Sequence, residues 1–588
     1  MNSHRFFGHT LSTLCYGAVC AVAVLSTGCA NQAVVPAPAP TVAAPPIEIV
    51  TQAFETDTLY SLLVAELAGS RERLDIMLSN YIQQAIETQD AGVTQRAAQL
   101  ASYMRQPTET LQMASQWAAL DPKNPQAHYM AMAALTDSSR FFEAFEQGKF
   151  LIENQHMPHG LDVLAAKASQ TTVSQEDATS LNNLYKTLAS RFANDAQLLL
   201  GISFLSYRES DYTTSLSKAR QVQTLAPKQE QAYYQELRVL EQQKSPLVQQ
   251  RLGEVVALFP ENQQLRLQYA RDLTQTNLAD AAIQFQTLHQ QIPDDANIAL
   301  ALALTQYQEG NIEQAKAVFS PLTAKPAQAD TANYYLAKIA TQQNDPLKAI
   351  DYYLAVKPSK EFLPALANAV GLLHQNNQAA KALQLLTGYQ LSAPAEYQEG
   401  IALLTGNHYK NLQQNTEALN TYNAAITRFP HALPLLYNRA MLLAEQNNLK
   451  DAERDFKTII AIDPDHADAL NSLGYLLVDT HQRLPEAMGY IERAFTLDPE
   501  NPATIDSLGW AHYRSGDNDK AIRYLRQALI KMPNDEIAAH LGEVLWVNKQ
   551  EQEAMSVWKQ GLELNPNSRY IFERLQRFKI VPAQSTQP

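Results

Sequence analysis

Apolar positions are laid along this chain in two ways. Leu11 to Thr27 is an almost unbroken apolar run behind a start that carries Arg5 and no acid. Beyond about residue 50 the apolar residues return at helical spacing instead, as Leu470, Leu473, Leu476 and Leu477 do in "LNSLGYLLV". That spacing gathers them on one stripe of an α-helix. The stripes themselves recur in register. Ala418, Ala452, Ala487, Ala521 and Ala554 are each followed twelve residues later by a proline, at 430, 464, 499, 533 and 566. Both series advance by 34, 35, 34 and 33 residues, and Gly406, Ala440, Gly474, Gly509 and Gly542 run in step about a dozen residues before each Ala.

These residue types predict two short antiparallel helices per period. The apolar stripe and the Gly belong to the first helix, where a mid-helix Gly costs ~1 kcal/mol against Ala and close helix approach is the expected compensation. The Ala opens the second helix at the crossing. Phe456, Ile491, Leu525 and Trp558, four residues after their Ala, point back into the same layer. Proline then ends the second helix, because it lacks an N–H and disfavours helical geometry in the residue before it. The pieces "DPDH", "DPEN" and "NPNS" supply Asp and Asn for capping the next helix. Ala281, Ala315, Ala349 and Ala382 continue the first series backwards, and Pro227, Pro260 and Pro293 the second. Before Pro227 the pattern thins to "WAALDPKNP" and "LYSLLVAELAGSRERLDIMLSNY". About fifteen periods fit, unless the first few are irregular helical pairs.

The repeat resembles the tetratricopeptide repeat (TPR), which "LNSLGYLL…EAMGYIERAFTLDP" matches in spacing. It departs where Leu470 or Ile505 fills the family's first aromatic slot and Leu477 or His512 its later Tyr slot. The chain as a whole resembles the large TPR lipoproteins of Gram-negative bacteria. The resemblance implies an all-α protein, a right-handed superhelical α-solenoid whose repeats touch mainly their neighbours and whose first helices line an extended concave groove. The expected divisions are a lipoprotein signal peptide over 1–28, a lipid-anchored Cys and Pro/Ala-rich tether over 29–50, and degenerate helical repeats over 51–230. Central repeats over 231–398, well-matched repeats over 399–568 and a terminal helix and tail over 569–588 complete the chain.

The leader changes the picture of where this solenoid works. "Leu25-Ser26-Thr27-Gly28-Cys29" resembles the bacterial lipobox, in which the Cys is lipidated and becomes the new N-terminus, with Ser26 standing where the family usually has Leu. The other reading is ordinary cleavage after Ala21-Val22-Ala23, which leaves Cys29 a free thiol. Of the three cysteines, Cys15 and Cys20 fall in the leader, so the exported domain carries no internal disulfide. The Pro/Ala-rich segment after Cys29 favours extended polyproline II at ~3.1 Å per residue, a semi-rigid spacer. Ala30 rather than Asp after the Cys is what the lipoprotein family shows for sorting to the outer membrane. The expectation is an outer-membrane lipoprotein whose folded part faces the periplasm or the cell surface.

Composition removes other classes. With 60 acids against 46 bases the formal charge is −14, a poor match to nucleic acid. No second apolar run is long enough to span a bilayer. A chain of 588 residues is too long for one ordinary core, yet no linker divides it after the tether. There is no Gly-rich Lys loop, nucleophile elbow or His-Glu-x-x-His. His156 and His159 in "ENQHMPHG" lack a carboxylate or Cys pattern to complete a metal site, and a surface loop is expected there. Glu309 and Glu313 stand at ordinary helical-surface spacing. No enzyme, metal or small-molecule cofactor is therefore expected.

The resemblance places Tyr437, Met441, Asn471, Tyr475, Asp506, Trp510, Tyr513, Glu543 and Trp546 at inward positions of first helices. Aromatics with interspersed acids suit a protein or peptide partner, unless several of them pack between repeats. Where some family members grip a C-terminal carboxylate with Lys and Asn, this chain has Asn471, Asp506 and Ala539, and that clamp does not carry over. Function is thus expected to be a membrane-anchored, non-enzymatic scaffold for other envelope proteins, in envelope, secretion or pilus assembly. A binding module for cell-wall or exopolysaccharide chains is the alternative, and an enzyme with a site that no motif reveals the third.

Overall fold

The computed structural model describes residues 54–170, 173–480 and 483–580. The leader, Cys29 and the tether lie outside the described residues. Within them are 31 α-helices, one short 3-10 helix and no strand. The chain divides into two units, Met1–Ala168 and Ser169–Pro588.

The first unit holds three helix pairs, beginning with Thr56–Gly69 and Leu74–Thr88, and a further helix from Leu161. Its core is built from Ala85, Ala101, Ala114, Met113 and Trp117. His159 is buried here rather than in a surface loop, and its Nδ1 accepts the Leu161 N–H at 3.4 Å where that last helix starts. The next residue, Gly160, lies against Met132, and burial of His159 in this stretch overrides the polar look of "QHMPHG".

In the second unit the register series become a packing rule. All nine alanines from Ala281 to Ala554 have no exposed surface. So do, within a few per cent, the large residues four places later, among them Phe285, Phe319, Tyr422, Phe456, Ile491, Leu525 and Trp558. The glycines explain why. A Cβ on Gly406 would lie 2.1 Å from Tyr422, one on Gly474 2.5 Å from Ile491, one on Gly509 2.8 Å from Leu525 and one on Gly542 2.2 Å from Trp558. Each glycine is the seat of the large side chain of its own second helix, so the helical penalty is offset by burying that side chain. Where Ala440 replaces Gly, the same seat holds Phe456.

Prolines end the second helices as expected. Helices Asn415–Arg428, Leu449–Ile462, Leu484–Leu497, Asn518–Lys531 and Glu551–Leu564 each stop two residues before their Pro. Capping differs in detail. The cap of the next helix is the fourth residue of each tetrapeptide, which is His466, Asn501 or Ser568, each accepting a backbone N–H of the first turn. The leading Asp463, Asp498 and Asn565 accept the N–H two residues on and shape the turn instead.

The turn inside each pair is a feature that no residue type announces. The second unit has left-handed residues at Ser210, Lys244, Gly310, Asn344, Asn377, Gln413, Asn447, Arg483, Gly516 and Lys549. Most follow the repeat spacing, but few are glycine, and a side chain there costs about 1 kcal/mol. The compensation is a hydrogen bond from the next residue's N–H back to the last helical turn, as from Asn448 to the Leu443 carbonyl at 2.8 Å and from Asp517 to His512 at 2.9 Å.

The thinning of the pattern before Ala281 also has a physical cause. Ser203 and Ser215 take the Gly and Ala places, and their hydroxyls donate to each other's carbonyls at 2.6 and 2.8 Å. In the next pair Glu236 takes the Gly place and Val248, twelve before Pro260, the Ala place. The contacts of Glu236 are ionic. Buried Glu236 accepts from Gln223 at 2.7 Å, Arg220 at 2.8 Å and Arg251 at 2.9 Å. Burial pushes the Glu236 carboxyl up, but these donors outweigh it and hold it below the ordinary range.

Two outcomes follow. Gly542→Ala should lower thermal stability by ~1–3 kcal/mol, because fully buried Trp558 cannot yield. Gly489→Ala, on a second helix with nothing within 4 Å of the new methyl, should raise it by ~0.5–1 kcal/mol through helix propensity. Calorimetric melting of both variants checks the seat. For Glu236 the native pKa is depressed, so its contribution is full above the ordinary value of 4.5 and is lost as pH falls below it. Melting temperature against pH should therefore fall less steeply in that acid range for Glu236→Gln than for the parent.

Candidate partner-binding groove

First helices meet one another one period apart, and this stitches the inner face. His374 Nε2 lies 3.0 Å from His408 Nδ1, and Lys410 donates to Glu445 at 2.8 Å. The Tyr437 hydroxyl is 3.1 Å from Ser472 Oγ. Burial, then the His374 charge, lowers the pKa of His408.

The nine inward candidates divide on this face. Asp506, Trp510 and Glu543 are buried and offer no surface to a partner. His540 Nδ1 stands 3.1 Å from both oxygens of Asp506, which fixes the proton on that nitrogen. Trp510, 1% exposed, stacks on the His540 ring at 4.2 Å and 21°. Glu543 is closed by Arg574 at 3.1 Å and Arg577 at 2.7 Å from the helix Arg569–Arg577.

The other six are half-buried. Tyr475 donates to Glu536 at 3.1 Å and faces His540 Nε2 at 3.5 Å, reaching across an intervening repeat. Burial carries its phenol well above the ordinary range and raises the Glu536 carboxyl. Tyr513 donates to Glu543 at 3.2 Å, and burial pushes its phenol up to about 12. Trp546 packs on Trp558 and Phe578, Tyr437 and Met441 lean on the second-helix core, and Asn471 sits beside Tyr475 in the same helix.

A Tyr–His–Asp chain of this kind has the groups for acid–base work. With the imidazole shut between Asp506 and Trp510 it acts as a structural network that fixes three successive first helices. His540, Arg574 and Arg577 were missed by the sequence reading, yet a signal existed. His540 follows Asp506 by 34 residues, as Arg577 follows Glu543, and that separation places opposite charges face to face.

A second aromatic platform lies further back. Ala337 stands twelve residues before Ala349, so Tyr334 and Lys338 hold the positions of Asn471 and Tyr475 in register. Lys338 Nζ lies 5.5 Å from the ring centres of Tyr307 and Tyr335 and 5.9 Å from that of Tyr334. All four side chains are half-buried. One period on, Gly371 occupies the Lys338 position with nothing within 4 Å of where a Cβ would stand.

The chain is 33% identical over 498 residues to a TPR repeat-containing protein of Pseudomonas aeruginosa, covering 83% of this chain and 82% of that one. It belongs to the tetratricopeptide repeat family. Tetratricopeptide repeat models match residues 300–364, 403–466, 437–502 and 503–535. The mitochondrial import receptor subunit TOM70 of Homo sapiens is 25% identical over 154 residues, which is 26% of this chain and 25% of that protein. The APC/C hetero-tetramer Cut9-Hcn1 aligns over 89% of this TPR chain and 91% of that one at 14% identity, with a TM-score of 0.34. The matched spans start at residue 300, where the Ala–Ala and Gly–Ala seats of this TPR array become regular.

Trp510→Ala should therefore behave as a core change. An expected loss of ~3–5 kcal/mol follows from removing a buried aromatic. Tyr475→Phe should cost about 1 kcal/mol, since it deletes one hydroxyl from the Glu536–His540 network. Denaturant melts of the two variants check the order.

Proposed function

We propose that the chain is a lipid-anchored, non-enzymatic scaffold of a bacterial cell envelope that holds segments of other proteins against its inner helices around Tyr334 and Lys338. TPR proteins act as protein-interaction scaffolds, and this chain carries the family's first-helix positions throughout its second unit. The observation that carries the reading is the Tyr307–Tyr334–Tyr335–Lys338 platform. Its aromatic faces are half-exposed, and Lys338 pairs with no carboxylate among the described residues. Rigid aromatic area beside a bare glycine suits an extended or helical segment of a partner. One relative is, by its name, a subunit of a mitochondrial import receptor.

The anchor rests on the sequence. Gly28-Cys29-Ala30 before a Pro-rich spacer supports lipidation, outer-membrane sorting and a folded part held off the membrane towards the periplasm. The aromatic surface that an envelope polysaccharide would need has less support, since Trp510 is closed and Trp546 packs on Trp558 and Phe578.

Two measurements test this reading. Cys29→Ser should move the protein out of the membrane fraction and abolish fatty-acid labelling, and retention of either property in the variant overturns the anchor. A photo-crosslinking residue at Tyr334, compared in intact cells with one at exposed Arg523, should give protein adducts only from the inner site. Equal adducts from both, or none from Tyr334, overturns the groove.

A further inference from the structure

One second helix stops early. Ala349 is followed by Pro358, a spacing of 358 − 349 = 9 in place of twelve. Helix Pro346–Leu354 accordingly runs for 9 residues, whereas the next second helix, Ala379–Ser392, runs for 14. A recess of about 730 Å³ lies on the outer side of the pair. Buried Ile350 and Leu373 form its floor, and Leu347, Leu354, Leu385 and Tyr389 its walls. Leu347 is 63% exposed, and Leu391, one turn beyond Gly388 on the longer helix, is 85% exposed.

Three further features mark this face. Gly388 lines the recess in the middle of a helix, and no atom lies within 4 Å of where its Cβ would be. Gly474, Gly509 and Gly542 each seat a side chain of this chain, whereas the bare backbone at Gly388 is used by nothing within it. Asp351 stands on the short helix and Lys381 on the long one, both lining the recess. Neither joins an ion pair within 4.0 Å among the described residues.

We propose that this face joins two copies of the chain about a local two-fold axis. An isologous contact sets a patch against itself, so it requires self-complementarity. An apolar strip flanked by one charge of each sign meets that requirement, with Lys381 facing the partner subunit's Asp351 and the reverse. The bare backbone at Gly388 lets the two long helices approach, and Leu347 and Leu391 lose their water. A lipid surface fits less well, because an anionic headgroup layer would repel Asp351. The proposal stands apart from the scaffold reading, which concerns the opposite, first-helix side.

The experiment is sedimentation velocity of the full chain carrying Cys29→Ser, over about a hundredfold range of concentration. The expected result is a concentration-dependent dimer. Asp351→Lys and Lys381→Asp should each raise the dimer Kd about tenfold or more, and the double swap should return it to within about threefold of the parent. Leu391→Glu should weaken the dimer at unchanged melting temperature, since that side chain supports nothing within the monomer. A monomer at every concentration overturns the proposal. So does a dimer indifferent to Leu391→Glu, or one that the double swap fails to restore. Flotation of a monomeric parent with phosphatidylglycerol vesicles, lost in Leu391→Glu, would assign the face to lipid instead.

Discussion

Where the two helices of a pair cross, a glycine or alanine on the first lies against the second, and a large side chain of the second fills the seat. Gly406 under Tyr422, Gly474 under Ile491, Gly509 under Leu525 and Gly542 under Trp558 are the same contact made four times. The seat fixes how closely the helices approach. It thereby fixes the direction in which the next pair must leave, and the array is this step repeated. Because each seat is filled from within its own pair, stability accumulates locally. Ser203 with Ser215 meets the same need by hydrogen bonds, and in the next pair Glu236 stands at the seat and is answered by Arg220 and Arg251.

The inner face obeys a second constraint, which is that residues one period apart on first helices are neighbours. His374 with His408, Lys410 with Glu445, Asp506 with His540 and Glu543 with Arg577 all follow it. Towards the C-terminal end these pairs join into a network in which two carboxylates are buried and answered by His540, Arg574 and Arg577. Buried acids without those partners would be costly, and Arg574 and Arg577 of the terminal helix Arg569–Arg577 supply them for Glu543. The consequence for function is a division of labour along the array. Its last repeats commit their inner polar groups to a buried network, and the platform of Tyr307, Tyr334, Tyr335 and Lys338 holds a lysine that pairs with no carboxylate among the described residues.

The outer face is set by proline placement. Prolines two residues beyond a second helix let it run its full length, as after Leu449–Ile462 and Asn518–Lys531. Pro358 arrives early, and the recess beside it is walled by Leu347 and Leu354 of the short helix.

Much of this was readable from the chain alone. The period, the helix pairs, the role of each Ala and Pro and the seats at Gly474, Gly509 and Gly542 follow from local rules, because spacing and residue type determine which groups share a face of one helix or one crossing. Pairing one period apart was legible too, though it was not used to pair Asp506 with His540. Tertiary structure decided what spacing cannot, namely how far an inward side chain remains open once its neighbours are in place. Trp510 and Tyr475 occupy the same register position, yet one is sealed by His540 and Tyr513 and the other is half-open. The difference is set by side chains contributed from one and two repeats away. Likewise the left-handed turns at Lys244 and Lys549 are imposed by hydrogen bonds closing each first helix, against the preference of the residues that adopt them. Sequence settles which contacts each repeat can make, and the stacking of repeats settles which of them are left for a partner.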